Sequence, residues 1–532
     1  MRRTQRIAVL AVVVATLLAL TGNIATGNLP PSWRPWLWLA WPATIVLIIM
    51  AVIIEIRGAR FEPPSSPHAP FSDREAIDLL ASADVGRRMS GVQHLARSSV
   101  AENADPQWYV NVICQYLRRP YTPSVAPVGE REVRIGLLDL LRDRLQEGAV
   151  PSWSQCDIDL SGATLDAGSL DGAVLLRSTL RLNDCRFPGS GFSWKAGLFV
   201  GGHVDCSPLE LRVGETLSLA GSRFIESRIG LRSLVLSGGV LDLDRAQTTE
   251  SQFDLAETAA ESGVISVKDA RIGRWTTGDR AAQVAGRSGS AVNFRDAALR
   301  GGAISFARTH FVADEEGTIG WDAVGFVGSL LAATEVSFED TLFSSCAVDF
   351  HNATLDGSTV GFRRAKLRES KVSFVEATIK KGAIDFQTSS LWSTVPLDRD
   401  QRPVFIVDLE SKTPDRLRTT EYWQAGIPYP TVSFAVAKLY GGSILFEAVE
   451  TVGGTVVDFN HITLRGTTVR FKGGDWSDSV VVLWHLYFEA GSGSVTGEYC
   501  SPFVLVSCNM TPAERRRIDL RPALEIAISD TH

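Results

Sequence analysis

At 532 residues the chain is too long for one ordinary compact core, so it needs several folding units or a repeating one. Its 53 basic and 60 acidic side chains leave a net charge of −7, which speaks against a general nucleic-acid binder with a clustered basic face. Seven widely spaced cysteines without a CxxC, and eight scattered histidines, argue against a disulfide framework or zinc site and for free thiols in a reducing compartment.

Two apolar segments open the chain. Residues 7–33 and 35–54 carry no charge, and each is long enough to cross a hydrocarbon slab of about 30 Å at about 1.5 Å per residue. Trp33, Trp36, Trp38 and Trp41 flank the link between them, as interfacial aromatics do. Arg2, Arg3 and Arg6 precede the first span, Arg57 and Arg60 follow the second, and the link holds only Arg34. That bias predicts a hairpin over 1–60 with both ends inside, held in the bilayer through residues 7–56, with the rest of the chain on the cytoplasmic side of the plasma membrane. A cleaved signal peptide is the other reading of the first segment; the second would then still stop transfer.

A proline-rich linker (61–72, FEPPSSPHAPFS) leads to a helical module ending near 150. Ser72 with Glu75 forms a capping box, and Ile77, Leu80, Val85, Met89, Val92, Leu95 and Ala96 make one apolar stripe. Further helices are predicted over Trp108–Leu117, before Pro120, and over Glu130–Leu145.

From Cys156 the character changes. Leu160, Leu165, Leu170 and Leu175 recur every five residues, and SGATLDAGSLDGAVL resembles the pentapeptide repeats that wind a right-handed, four-sided β-helix. The period then lengthens to 12: Leu170, Leu182, Trp194 and Cys206; Phe338, Phe350, Phe362, Phe374 and Phe386; Phe434 and Phe446; Phe459 and Phe471. A fixed period over so long a stretch predicts a solenoid. Within KVSFVEATIKKGAIDF the apolar pairs Val372/Phe374, Ala377/Ile379 and Ile384/Phe386 are each two apart, so short strands alternate with two- and four-residue corners. Gly201-Gly202, Gly238-Gly239, Gly301-Gly302 and Gly441-Gly442 fall at the longer corners, where φ > 0 is needed. Two units per coil, 24 residues, are expected, since a 12-residue ring could hardly enclose phenylalanines. The β-helix is placed at 151–480, with a C-terminal cap at 481–532.

The period is expected to break at 248–263, 275–290, 312–318 and most strongly at 392–430. Solenoid insertions bulge outward and often bind. The last one holds five prolines with Trp392, Tyr422 and Trp423, the candidate partner-binding residues; covering the stack is the equal alternative.

No phosphate-binding, metalloprotease or nucleophile-elbow motif occurs, and neither catalytic residues nor cofactor or metal ligands are assigned. Asp242 and Asp244 are outward strand residues, Asp314-Glu315-Glu316 a surface loop, and His351 an outward neighbour of Phe350.

YVNVICQYLRRPYTP, then EREVRIGLLDLLRDRL, then DIDLSGATLDAG, in that order behind an apolar hairpin, resemble the membrane-anchored pentapeptide-repeat proteins common in actinobacteria. The resemblance covers most of residues 1–480; it implies a mainly β fold and a membrane location, and brings no catalytic residues with it. The chain departs from that pattern in having few true five-residue repeats and in its 392–430 insertion. The expected function is a membrane-anchored, non-enzymatic scaffold for a protein partner, with self-association compatible. A DNA-mimicking, gyrase-binding regulator is the alternative, disfavoured by mixed charge and basic units such as FRRAKLRESK. A carbohydrate-active β-helix is a further one, without a constellation of residues to support it.

Overall fold

The computed structural model describes residues 73–101, 104–189, 192–274, 290–312, 321–393 and 431–476, with shorter stretches at 479–484, 486–488, 493–498, 503–507 and 516–521. Both candidate membrane spans, the linker and the Ser72 cap lie outside these residues; among them, no helix is long and apolar enough to cross a membrane.

Four helices come first: α1 (Asp73–Leu80), α2 (Val85–Ser98), α3 (Pro106–Leu117) and α4 (Glu130–Leu145). The single stripe expected from Ile77 to Ala96 is thus cut at 81–84. Asp84 supplies the reason, because its carboxylate accepts from the Arg87 amide at 2.8 Å and starts a new helix. Asp105 caps α3 in the same way, with Pro106 in the first turn. α4 carries Glu130 and Glu132 in its first turn and Arg142 and Arg144 in its last, the order that suits the helix dipole.

Beyond Cys156 the chain winds into short, parallel strands. Val348 pairs with Val372 and Leu355 with Ile379, so one coil takes 24 residues, two of the 12-residue units. The coil starting at Val348 has four faces, whose inward pairs are Val348/Phe350, Ala353/Leu355, Val360/Phe362 and Ala365/Leu367, all buried. The first face forms a 13-stranded sheet running from Ile158–Asp159 to Phe503–Ser507, each strand beside its counterpart in the next coil.

The phenylalanine period resolves into separate columns. Phe326, Phe350, Phe374, Phe434 and Phe459 stack on the first face at 4.7–5.0 Å, and Phe338, Phe362, Phe386, Phe446 and Phe471 stack on the third at the same spacing. That spacing is the rise between parallel strands, so backbone ladder and ring stack set each other's register.

The corners follow two rules. Glycine occupies the four-residue corner where coils approach closely: a Cβ on Gly442 would run into the Gly382 carbonyl, and one on Gly382 into that of Ser358. At the two-residue corners, ordinary residues take the left-handed conformation, among them Asn352 (φ 55°), Arg364 (φ 54°) and Glu376 (φ 58°). At some of them the residue before the corner phenylalanine caps the turn. Asp349 and Asp458 on the first face and Asp385 on the third accept the amide two residues on at 2.9, 3.0 and 2.9 Å, an Asx-turn used on two faces.

Two expectations need correction. Residues 248–263 contain no break: Ile229 pairs with Phe253, and Gln247 with Arg271, at the ordinary 24-residue step. Leu255 and Val267 stand where other coils have phenylalanine, which hides the period. The ladder also runs past 480. Ser479–Trp484 pairs with Phe503–Ser507, and Ser494–Glu498 with Ile518–Arg521, so residues assigned to a cap add rungs instead.

The helices and the first coils share one continuous core, which joins Leu138 and Leu141 of α4 to Leu165 and Leu170. Tyr109 stacks on Trp153 at 6.2 Å, Arg118 pairs with Asp159 at 2.5 Å, and both Tyr121 and Arg131 bond to Asp166. The helical module thereby caps the open N-terminal end of the strand ladder, which would otherwise be a free edge.

Candidate interaction edge

The corner between the fourth and first faces is built from serine, threonine and glycine where the chain closes directly. Ser227, Ser251, Ser370 and Thr455 are buried there, and the Ser227 amide donates to the Ser251 hydroxyl at 3.0 Å. Glu226, Glu250, Ser345 and Glu369, beside them, have left-handed φ near 50°.

Between residues 192 and 476, every stretch that lies outside the described residues leaves from this same corner. Residues 275–289 sit between strands Arg271–Gly273 and Val292–Asn293; 313–320 between His310–Val312 and Trp321–Gly325; and 394–430 between Ser390–Trp392 and Val432–Ser433. The first strand of each pair is on the fourth face and the second on the first, in register with uninterrupted coils. Three interruptions separated in sequence therefore open from one edge.

Trp392 lies on that edge, 42% exposed, in register with Arg368 below and Val452 above. The Arg368 guanidinium sits over its ring at 5.9 Å, and Val452 is also exposed. Tyr422, Trp423 and Asp314-Glu315-Glu316 lie outside the described residues.

The other singled-out side chains are structural. Asp242 accepts from the Ser218 hydroxyl at 2.7 Å and the Asp244 amide at 3.1 Å; Asp244 accepts from Ser266 and the Lys268 amide at 2.6 and 2.8 Å. Both carboxylates stitch neighbouring coils. His351 points outward, 3.7 Å from Glu376. The described cysteines 114, 156, 185, 206 and 346 are free and buried. Burial pushes their thiols up, to about 12 at Cys114, Cys185 and Cys346, so they are poor nucleophiles. Among the described residues no His, Cys, Asp or Glu group could hold a metal ion.

Asp322, on the first face just beyond 313–320, is the unusual carboxyl. Burial first, then Asp349, push it up to about 6, while Lys371 and Arg295 pull it down. A carboxyl raised in the folded chain binds its proton more tightly there, so its contribution lowers stability as pH rises from about 4 to about 6, and the penalty is complete above that. Asp322→Asn is expected to raise unfolding free energy by on the order of 2 kcal/mol at pH 7.5 and to leave it unchanged near pH 4. Denaturant melts at both pH values check this; an equal effect at both would mean that the charge is not the cause.

One outer edge carries alternating charge. Arg245, Asp269, Arg308, Asp340 and Arg364 occupy equivalent left-handed corner positions in successive coils. Arg308 grips Asp269 at 2.6 and 2.8 Å, and Arg364 grips Asp340 at 2.7 and 2.8 Å, each through two parallel bonds. The edge is neutralised by its own register.

No family model and no curated protein matches the chain. Among solved structures it is similar to HetL, a pentapeptide repeat protein involved in heterocyst differentiation regulation from the cyanobacterium Nostoc sp. strain PCC 7120. Identity is 12%, over 55% of this chain and 81% of that one, with a TM-score of 0.15. So slight a superposition leaves the β-solenoid to be read from the register of this chain's own strands.

Proposed function

We propose that this chain is a membrane-held scaffold: the N-terminal hairpin fixes it in the plasma membrane, its bulk faces the cytoplasm, and the solenoid offers its insertion edge to a protein partner. The observation that carries the reading is the shared corner of the three interruptions, with Trp392 exposed beside the longest. A ladder that tolerates insertion at one edge of each coil gathers loops distant in sequence into one surface. Trp392, with Tyr422 and Trp423 of the adjoining 394–430 segment, supplies the aromatic anchors such a surface needs. The self-neutralised arginine–aspartate edge weighs against phosphate mimicry, which needs dense negative charge on the outer faces.

The test is a pull-down of the tagged full chain from membranes. Replacing 393–429 by a short Gly-Ser link is expected to keep membrane anchoring and strand content while losing the copurifying protein. A shortened chain that folds and retains its partner would move binding to the repeat faces or the helical module. Reporter fusions at Arg60 and His532 check the topology in the same strain: alkaline phosphatase activity at either would sink the cytoplasmic placement.

A further inference from the structure

The fourth face carries outward charge of one sign. From Val174 to Trp392 its strands pair in one unbroken column, and none of their outward positions is a carboxylate; the first is Glu450. Every other face holds carboxylates over the same stretch: Asp254 and Asp349 on the first, Glu210 and Glu261 on the second, Asp242 and Glu335 on the third. The fourth has Arg223, Arg271, Lys366 and Arg368 instead, all exposed. Among the described residues Arg223, Arg271 and Arg368 form no ion pair, whereas Arg228 of the first face holds Asp254 at 2.7 Å.

The same face is aliphatic where it begins. Val174, Leu176, Leu198, Val200 and Ile225 point outward and stay partly exposed in three successive coils. The matching coils of the opposite, second face put Thr164, Arg186, Glu210 and Arg212 outward. Val150, 84% exposed, borders the aliphatic end, because Gln146 before it bridges Ala173 and the Ser154 carbonyl after it accepts from the Leu176 amide at 2.7 Å. Clustered aliphatic side chains facing outward mark a contact surface. Carboxylates return only at the corners beside the face. Asp269 and Asp340 on one side are gripped by Arg308 and Arg364, while Glu226, Glu250 and Glu369 on the other share their corner with Arg177.

An aliphatic end that merges into a cationic strip is the composition of surfaces that lie on anionic bilayers. A nucleic acid would use the cations and leave the leucines and valines in water. The strip is long enough for many lipids, since Val174 to Lys366 covers seven ladder steps, or roughly 34 Å. We propose that the fourth face, from Val174 to Lys366, lies against an anionic lipid surface. The aliphatic end enters the interface, and Arg223, Arg271 and Lys366 meet lipid phosphates. Arg368 stays with Trp392 at the insertion edge, outside this contact. The inference goes beyond the hairpin reading, because a chain can be anchored with its ladder standing free of the bilayer.

The test uses the full chain with the photocrosslinking residue p-benzoylphenylalanine at Leu198 or, on the second face, at Thr378. It is reconstituted into vesicles of phosphatidylcholine alone or with about an equal share of phosphatidylglycerol, and lipid adducts are measured by mass spectrometry. With phosphatidylglycerol, the yield at Leu198 is expected to be roughly fivefold or more that at Thr378. Phosphatidylcholine alone, or salt at about 1 M, should bring it down to the Thr378 level. Arg223→Glu with Arg271→Glu should do the same; should that variant lose its strand content, Arg223→Gln with Arg271→Gln replaces it. Retention through an alkaline wash reads the hairpin separately, so a chain that is stripped yet crosslinked beforehand would lose the hairpin and keep the face. Equal yields at Leu198 and Thr378 would overturn the proposal, as would a Leu198 yield that neither lipid charge nor the arginine changes move. Adducts at Leu198 to a second copy of the chain in place of lipid would overturn it too.

Discussion

Phe374→Asp in the full chain is expected to destroy the single cooperative unfolding transition of the solenoid. Phe374 is fully buried, with its ring 4.7 Å from Phe350 below and 4.9 Å from Phe434 above. Truncating such a ring alone costs about 3–5 kcal/mol, because the stack closes poorly over the cavity. A carboxylate at the same place has no partner in an apolar column, and an unpaired buried charge adds several kcal/mol more or forces the group to take up a proton. Because each coil contacts only its neighbours, one failed rung uncouples the coils before it from those after it. The expected result is two broad transitions at lower denaturant, with hydrogen exchange fastest around Val372 and Val432. Thr359→Asp, on the exposed side of the strand Thr354–Gly361, is the control and should melt like the parent. If Phe374→Asp also melted like the parent, Phe374 would have to lie outside the core.

Much of this was legible because the core is periodic. A side chain that must fill the same slot in each coil leaves its mark at a fixed interval, and the V-x-F, A-x-I and I-x-F pairs of 372–386 gave both the strand faces and the corner lengths. The period failed where chemistry substituted for identity: Leu255 and Val267 fill phenylalanine slots, so an uninterrupted coil looked like a gap. The left-handed two-residue corners were missed because glycine was the only signal sought. A signal present at several of them is an Asp or Ser before the column phenylalanine, as in Asp349-Phe350 and Ser433-Phe434, whose side chain caps the turn. The shared edge could not be seen from sequence at all. Which corner an insertion leaves from depends on the strand register modulo 24, and a 12-residue period cannot tell one half of the coil from the other. Trp392, expected inside the 392–430 insertion, instead ends the strand Ser390–Trp392 before it; its place beside Arg368 and Val452 needed the neighbouring coils.

The helical module's attachment gives the other large expected effect, at Arg134. The sequence marked QYLRRPYTP as distinctive without giving it a task, and Arg134, 18 residues beyond Tyr116, supplies one. Its guanidinium is buried; it donates to the carbonyls of Leu117 and Arg119 at 2.8 and 2.9 Å and to Glu130 at 3.0 Å. Those carbonyls are at the C-terminal end of α3, where no further helical turn satisfies them. The same group lies over the Tyr121 ring at 4.1 Å, Tyr116 donates to Glu130 at 2.9 Å, and Tyr121 reaches across to Asp166 of the first coil. One planar fork thus ends a helix, neutralises a nearly buried carboxylate and holds the tyrosine that ties the helices to the ladder. Arg134→Lys keeps the charge but cannot serve three acceptors in one plane, so it is not conservative here. Breaking a buried pair of this kind costs about 3–5 kcal/mol. The loss should be local: exchange protection is expected to fall in α3, α4 and the strand Ile158–Asp159, while the rungs around Phe362 keep theirs. Unchanged protection at Ile158 in Arg134→Lys would mean that apolar contacts alone, such as Leu138 against the first coil, hold the cap in place.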